Sequence, residues 1–279
     1  MTNPNFQDPQ HLKTQQYASA DNLRTRVALH ERFSTNRQDF HRWVFEQLEL
    51  PAAAEVLELG TGTAKLWQQN AERLPAGWSL TLTDLSPGMV AEAKAATEGL
   101  RERVGYTEVN AEAIPFAAER FDAVIANHML YHVPNLDKAL AEIRRVLKPG
   151  GALYAATNGE RHMEEMETLI AEQVRALFPE ATFERAKALG FRLENGADLL
   201  SPFFGTVELT LFPNNALELT ETEPLLAYIL SMSRLQDATA GLKDDALKTL
   251  SDSLRREIDR RLERGPIHIT KASGLFVAR

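Results

Sequence analysis

The chain contains no cysteine. That excludes disulfides, thiolate metal sites and cysteine nucleophiles, and with them any indication of redox compartment. No apolar run reaches the length of a membrane span, and the first thirty residues lack the apolar stretch of a secretory signal, so a cytoplasmic protein without membrane insertion is expected. Net positive charge is also missing. The formal balance is -8 over 279 residues, which disfavours a broad polyanion-binding surface, and nucleic acid is not an expected partner. The most basic stretch, "SLRREIDRRLERG" (253–265), sets Glu257 four residues before Arg261 and reads as a solvated helix with internal ion pairs. Seven histidines are present, but none falls in a ligand cluster of recognised spacing, and no metal site is expected.

What is there is a core-forming sequence, 44% hydrophobic, with one region of regular alternation. Between 55 and 157, strands are expected at "EVLEL" (55–59), "SLTLTD" (79–84), "GYTEVN" (105–110), "FDAVIAN" (121–127) and "GALYAAT" (151–157). Helical patterns lie between them at about 63–73, 87–98 and 135–147. The alternation implies an α/β fold, a doubly wound Rossmann-like and mostly parallel sheet with helices on both faces; seven strands follow if later segments complete it. Ligands in such sheets bind beyond the carboxyl ends of the strands, so the loops after Leu59, Asp84, Asn110, Asn127 and Thr157 should surround one site.

The remaining chain divides into an N-terminal helical arm (1–50) with helices within 21–33 and 36–50, the core (51–157), a helical insertion read as a substrate lid (158–203), and a C-terminal completion of the sheet with helices (204–279). The last region is expected to hold a strand at 205–212, helices at about 223–236 and 242–263, and one final strand within "PIHITKASGLFVAR". Phe178, Phe183, Phe191, Phe203 and Phe204 in or beside the insertion are candidates either for an apolar acceptor pocket or for core.

"VLELGTGTA" (56–64) is a strand running into a glycine turn and a helix. A dinucleotide fingerprint needs a third glycine where this chain has Lys65, and no Gly-Lys-Ser/Thr follows for a P-loop. Glu58 stands where a phosphate would otherwise approach, and like charge there favours a cationic ligand instead. Asp84, at the end of the second strand, occupies the place of an acid that grips a ribose diol. A nucleoside with a cationic, phosphate-free tail meets both conditions, and S-adenosyl-L-methionine is such a molecule.

Together with "LTLTDLSPGMVAEAKA" (80–95), "NAEAIPFAAERFDAVIANHMLYHV" (110–133) and "LAEIRRVLKPGGALYAATNG" (140–159), this stretch resembles the successive motifs of class I S-adenosylmethionine-dependent methyltransferases, in the small-molecule branch that includes ubiquinone and menaquinone biosynthesis methyltransferases. The resemblance implies that Gly60, Thr61 and Gly62 lie against the methionine part of the cofactor with Glu58, and that Asp84 accepts the ribose hydroxyls. It further implies that Leu85 and Met89 pack near the adenine, that the Asn110-Ala111-Glu112 turn follows its edge, and that Asn127 and His128 sit beneath the cofactor. Ala64 replaces a glycine usual in the first motif, and Asn110 an aspartate frequent in the third. Tyr17 is a candidate to fold over the cofactor, as aromatic residues of N-terminal arms do in similar enzymes.

Methyl transfer rests on proximity and exclusion of water, with a base useful for amine or hydroxyl acceptors. His132 and His128 are the preferred catalytic candidates, with Tyr131 and His162 nearby in the sequence pattern. The expected partner is a small-molecule methyl acceptor whose attacking atom is not readable, and oligomeric state is open. A methyltransferase for RNA or protein and a non-catalytic S-adenosylmethionine-binding sensor or assembly protein are the alternatives.

Overall fold

In the computed structural model, residues 20–181, 183, 190–232, 235 and 245–279 are described. Tyr17 lies outside them. The chain opens with helices α1 (Ala20–Phe33) and α2 (Phe40–Glu46), then alternates β1 (Ala53–Leu59), α3 (Lys65–Gln68), β2 (Gly77–Asp84), α4 (Pro87–Ala96), β3 (Val104–Glu108), β4 (Phe121–Asn127), α5 (Leu136–Val146) and β5 (Leu147–Asn158). It continues through α6 (Glu164–Leu177), α7 (Gly196–Leu200), β6 (Val207–Leu211), β7 (Ala216–Leu219), α8 (Thr222–Leu230), α9 (Ala246–Leu262), β8 (Ile267–Thr270) and β9 (Ser273–Ala278). Among the described residues no helix is long and apolar enough to cross a membrane.

Seven strands form one sheet in the order β3-β2-β1-β4-β5-β9-β6. The first five are parallel, and β9 runs antiparallel between β5 and β6. The order reverses between β1 and β4, which makes that crevice the ligand position expected for a doubly wound sheet. The central strands are apolar on both sides because both faces are covered. Leu57, Leu59, Val124 and Leu153 meet Leu140, Ile143 and Val146 of α5 on one face. Val56, Ile125 and Tyr154 meet Trp43, Trp67 and Trp78 on the other. Asp122 lies outside the site and braces the sheet instead, accepting from Glu55 N at 2.8 Å and from Lys148 Nζ at 2.7 Å.

Several expectations from sequence change. The helix expected over 63–73 shrinks to α3 and a 3-10 turn at Ala71–Arg73, since Asn70 Nδ2 donates to Leu66 O at 2.8 Å and to His41 O, drawing helical carbonyls into side-chain bonds. The helix expected over 36–50 starts late because Asp39 caps it, accepting from the amides of His41 and Arg42. "PIHITKASGLFVAR" is two strands, broken at Lys271 and Ala272. β8 pairs with β7 in a separate two-stranded sheet, whereas β9 enters the main one.

The described residues of the insertion 158–203 divide between two apolar clusters. Its helix α6 packs with α1, α8, α9 and the β7/β8 pair in a third apolar cluster that forms a cap. Phe191, Leu200 and Phe204 instead sink into the core beside Phe276. None of the five phenylalanines proposed for an acceptor pocket lines the cavity described below, because burying them in core or cap removes more apolar surface from water. The basic helix behaves as expected, with Glu257 bonded to Arg260 and to Arg261 at 2.8 Å.

Candidate functional site

Between the carboxyl ends of β1, β2 and β4 and the cap lies a cavity of about 1080 Å³. Every proposed site residue among the described residues lines it; Tyr17 falls outside them. Glu58 stands near the end of β1, 3% exposed, and its Oε2 accepts from Thr61 Oγ1 at 2.6 Å and from Trp67 Nε1 at 2.7 Å. Burial lifts its pKa to about 7 against the opposing bonds of Thr61 and Trp67 and the nearby Asn127 amide, and the Asp84 charge adds to the rise. Removed from water, the carboxyl group is held close to the point where it gains or loses its proton.

The turn that follows is built on positive φ: Gly60 at 65°, Gly62 at 53° and Ala64 at 57°. Ala64 is therefore a left-handed residue with a side chain, which explains why a glycine is usual there. The two glycines differ. A Cβ at Gly60 would stand 2.8 Å from Met129 Cβ, while one at Gly62 would meet nothing within 4 Å. Gly60 is required by the protein's own packing, and Gly62 faces open space. Gly60→Ala is expected to destabilise the fold by about 2 kcal/mol, and Gly62→Ala by about 1 kcal/mol from backbone strain alone. Thermal melts of the two variants test this, and equal losses would contradict the assignment to Met129.

Asp84 closes the turn from the next strand. Its Oδ2 accepts from Gly62 N at 3.0 Å and its Oδ1 from Ser86 N at 2.9 Å, while Thr61 N bonds Thr83 O at 2.8 Å. Desolvation raises the Asp84 pKa, and the amides of Ser86, Gly62 and Leu85 oppose it. Each carboxylate oxygen retains a lone pair for a ligand hydroxyl. Leu85 and buried Met89 form the adjoining wall, with Ser86 capping α4.

Asn110 Oδ1 accepts from Glu112 N at 2.9 Å, so the Asn110-Ala111-Glu112 turn is self-braced. Glu112 Oε1 accepts from Asn135 N at 3.0 Å and ties this turn to the start of α5. At the end of β4, Asn127 sits close enough to Glu58 to lower its pKa, yet neither atom of its amide completes a hydrogen bond to protein. A buried amide left this way is a position for a polar ligand. Acid, open glycine, ribose-type aspartate and unspent amide together fit S-adenosylmethionine, and the basic residue that follows this turn, Lys65, has its ammonium on Glu31 at 2.9 Å.

His128 follows in a left-handed conformation, φ 53°, with its amide bonded to Ala156 O at 2.9 Å and its ring 5.1 Å from that of Phe40. It can be reached from the cavity but is shielded from bulk water. Burial first, then the neighbouring His41, Lys271 and His132, bring its pKa to about 4. His132 lies in the 3-10 turn Leu130–His132, its ring 4.5 Å from that of Tyr131, and both line the cavity.

Sequence reasoning misses the far wall. His30, Ser34, Phe212, Asn215, Tyr228 and Lys271 all come from the cap or its connections and line the same cavity. Phe40 joins them, although its spacing marks it only as part of a helical apolar face. No local motif marks these positions; they meet only through tertiary packing.

Residues 57–155 match the family described as a methyltransferase domain. The chain is 41% identical over 100 residues to the ubiquinone/menaquinone biosynthesis C-methyltransferase UbiE of Hydrogenovibrio crunogenus, covering 35% of this chain and 39% of that protein. It is 30% identical over 164 residues to the protein of the same description from Shewanella frigidimarina, covering 57% of this chain and 62% of the relative. The matches thus span roughly two fifths to three fifths of those relatives' length. Among solved structures, the [4+2]-cyclase SpnF superposes with a TM-score of 0.59 over 97% of this chain and 96% of its own, at 19% identity. That likeness is one of fold.

Proposed function

We propose, from a core that belongs to the class I S-adenosylmethionine-dependent methyltransferases, that the chain transfers a methyl group from S-adenosylmethionine to a small organic acceptor held between the strand ends and the cap. The observation that carries this reading is the placing of buried Glu58 and of Asp84 on either side of Gly62, two acids where a phosphate would otherwise approach. S-Adenosylmethionine, when bound, supplies a methyl group already activated by its sulfonium.

The chain's residues bind, orient and exclude water. Asp84 takes the ribose hydroxyls, Glu58 and the Gly60-Thr61-Gly62 turn the methionine part, Leu85 and Met89 the adenine face, and the Asn110-Ala111-Glu112 turn its edge. Asn127 completes the polar contacts from below. The cap shuts out bulk water, so proximity and orientation supply most of the acceleration. His132 is the group that takes a proton from an amine or hydroxyl acceptor. His128, held neutral by burial, is suited to donating a hydrogen bond more than to accepting a proton near neutrality.

The test is transfer of labelled methyl from S-adenosylmethionine to an acceptor panel, beside calorimetry with S-adenosylhomocysteine. Because the matched relatives are described as quinone-biosynthesis C-methyltransferases, phenolic quinone precursors belong in the panel. Failure to bind S-adenosylhomocysteine would end the reading. Binding without transfer to any acceptor would leave a cofactor-binding protein without catalysis. For an oxygen or nitrogen acceptor, His132→Ala is expected to lower kcat about a hundredfold while S-adenosylhomocysteine affinity stays within about twofold. An unchanged kcat would remove His132 from the reaction.

A further inference from the structure

The cap side of the cavity holds polar groups for which the cofactor reading has no use. Lys271 sits in the break between β8 and β9, and its Nζ donates to Ser34 Oγ at 3.0 Å. Among the described residues no carboxylate lies within ion-pair distance of this ammonium. A half-buried ammonium whose hydrogen-bond partner is a hydroxyl is short of counter-charge.

Around the same space stand His30 from α1, His128 after β4, His162 after β5 and Asn215 before β7. The Nδ1 atoms of the three imidazoles are sealed in the wall with no hydrogen-bond partner, as is Asn215 Oδ1. For His30 and His128 the edge of the ring that reaches the cavity is therefore Nε2. In a neutral imidazole an unpaired buried lone pair is tolerated better than an unpaired buried N–H, so the proton resides on Nε2 and is offered to the cavity. Apolar surface flanks these donors. Phe40 lies 5.4 Å from Phe212, and Tyr228 stands edge-on to His30 at 5.8 Å.

We propose that this half of the cavity is a cradle for an anionic oxygen on an apolar methyl acceptor, with Lys271 as its counter-charge and the Nε2–H groups of His30 and His128 as donors. The proposal rests on the methyltransferase reading for the word acceptor, but the anion preference it asserts does not depend on turnover. The charged and titratable groups facing Lys271 are Asp39 at the start of α2 and the imidazoles of His30, His128 and His162, with His41 behind His128. Asp39 has its Oδ1 committed to the amides of His41 and Arg42, which limits its pull on the ammonium. Burial lowers the Lys271 pKa to about 8, with Asp39 opposing, and burial keeps His30 (about 3), His128 and His162 uncharged at neutral pH. Anion binding should then be strong at neutral pH and weaken as pH rises through about 8.

Two probe pairs test this by calorimetry, with and without saturating S-adenosylhomocysteine: benzoate against benzamide, and 4-nitrophenolate against nitrobenzene. At neutral pH at least one anion is expected to bind about tenfold or more tightly than its neutral counterpart. The pair that responds separates a carboxylate from a phenolate acceptor. The preference should shrink above about pH 8, vanish in Lys271→Met and survive in Lys271→Arg, whose retained charge also controls for folding. Equal affinity within both pairs, no binding of any probe at millimolar concentration, or an intact preference in Lys271→Met would each overturn the proposal. The separate titration of S-adenosylhomocysteine reports on the cofactor reading, so the two can fail independently.

Discussion

Asp84→Ala should weaken S-adenosylhomocysteine binding by at least about a hundredfold. Two hydrogen bonds from ribose hydroxyls to an ionised carboxylate contribute roughly 1.5–3 kcal/mol each, and their joint loss reaches or exceeds that factor. The turn also loses its closure, because Asp84 is the acceptor for both Gly62 N and Ser86 N. Stability should change less than affinity. The Asp84 pKa is raised in the fold, so the native state holds this charge against its own desolvation, and removing it relieves part of what the lost amide bonds cost. Calorimetry for binding and circular dichroism for folding separate the two effects. Asp84→Asn, which keeps an acceptor but not the charge, is expected to fall between wild type and alanine. Wild-type affinity in Asp84→Ala would show that the ribose lies elsewhere.

Glu58→Gln should move stability and binding in opposite directions. The glutamine keeps an oxygen for Thr61 Oγ1 and Trp67 Nε1 but has no charge to desolvate. In the fold the Glu58 pKa is raised from 4.5 to about 7. The native state therefore holds its proton to higher pH than the unfolded chain does. Wild-type stability falls as pH rises from 4.5 through about 7, and stays at the lower level beyond. Converted at 1.36 kcal/mol per unit, the difference reaches at most about 3 kcal/mol above pH 7. Glu58→Gln is then more stable than wild type at about pH 8, by several degrees in Tm, and the advantage disappears near pH 4.5. Its affinity for the cationic cofactor should drop about tenfold at about pH 8. A melting-temperature difference that does not change between these two pH values would show that Glu58 titrates as an ordinary carboxyl.

The core was readable because its determinants are local. Apart from Tyr17, the residues expected to hold the cofactor fall within 58–127, all but Met89 at or just after a strand end, and a parallel sheet brings strand ends together without further instruction. The short apolar runs that hold Val56, Leu57, Leu59 and Ile125, set between helical patterns, gave away the sheet. The far wall was not readable. His30 and Lys271 are distant in the chain, and Lys271 falls inside what the pattern presents as one continuous strand. The interruption there is imposed from outside: Met163 N bonds Thr270 O at 2.8 Å and Gly159 N bonds Ala272 O at 2.9 Å, so one side of the strand joins the cap and the other the sheet. The phenylalanines of 178–204 stayed undecided in the sequence because an aromatic-rich segment looks alike whether it lines a pocket or fills a core. The α3 helix was overextended for a similar reason, since apolar periodicity carries no sign of Asn70 turning its amide back on Leu66 O.

That break between β8 and β9 also governs how the roof over the cavity can move. The chain leaves the cap and, two residues later, runs between β5 and β6, bonded on both sides. Glu165 clasps Thr270 through both its amide and its hydroxyl, at 2.7 and 2.6 Å. Swinging the roof away as a rigid door would tear an interior strand from its neighbours. Traffic of acceptor and product must be served by small excursions of side chains and helix ends around a fixed anchor, and turnover should respond to substitutions along the rim more than to those at the anchor itself.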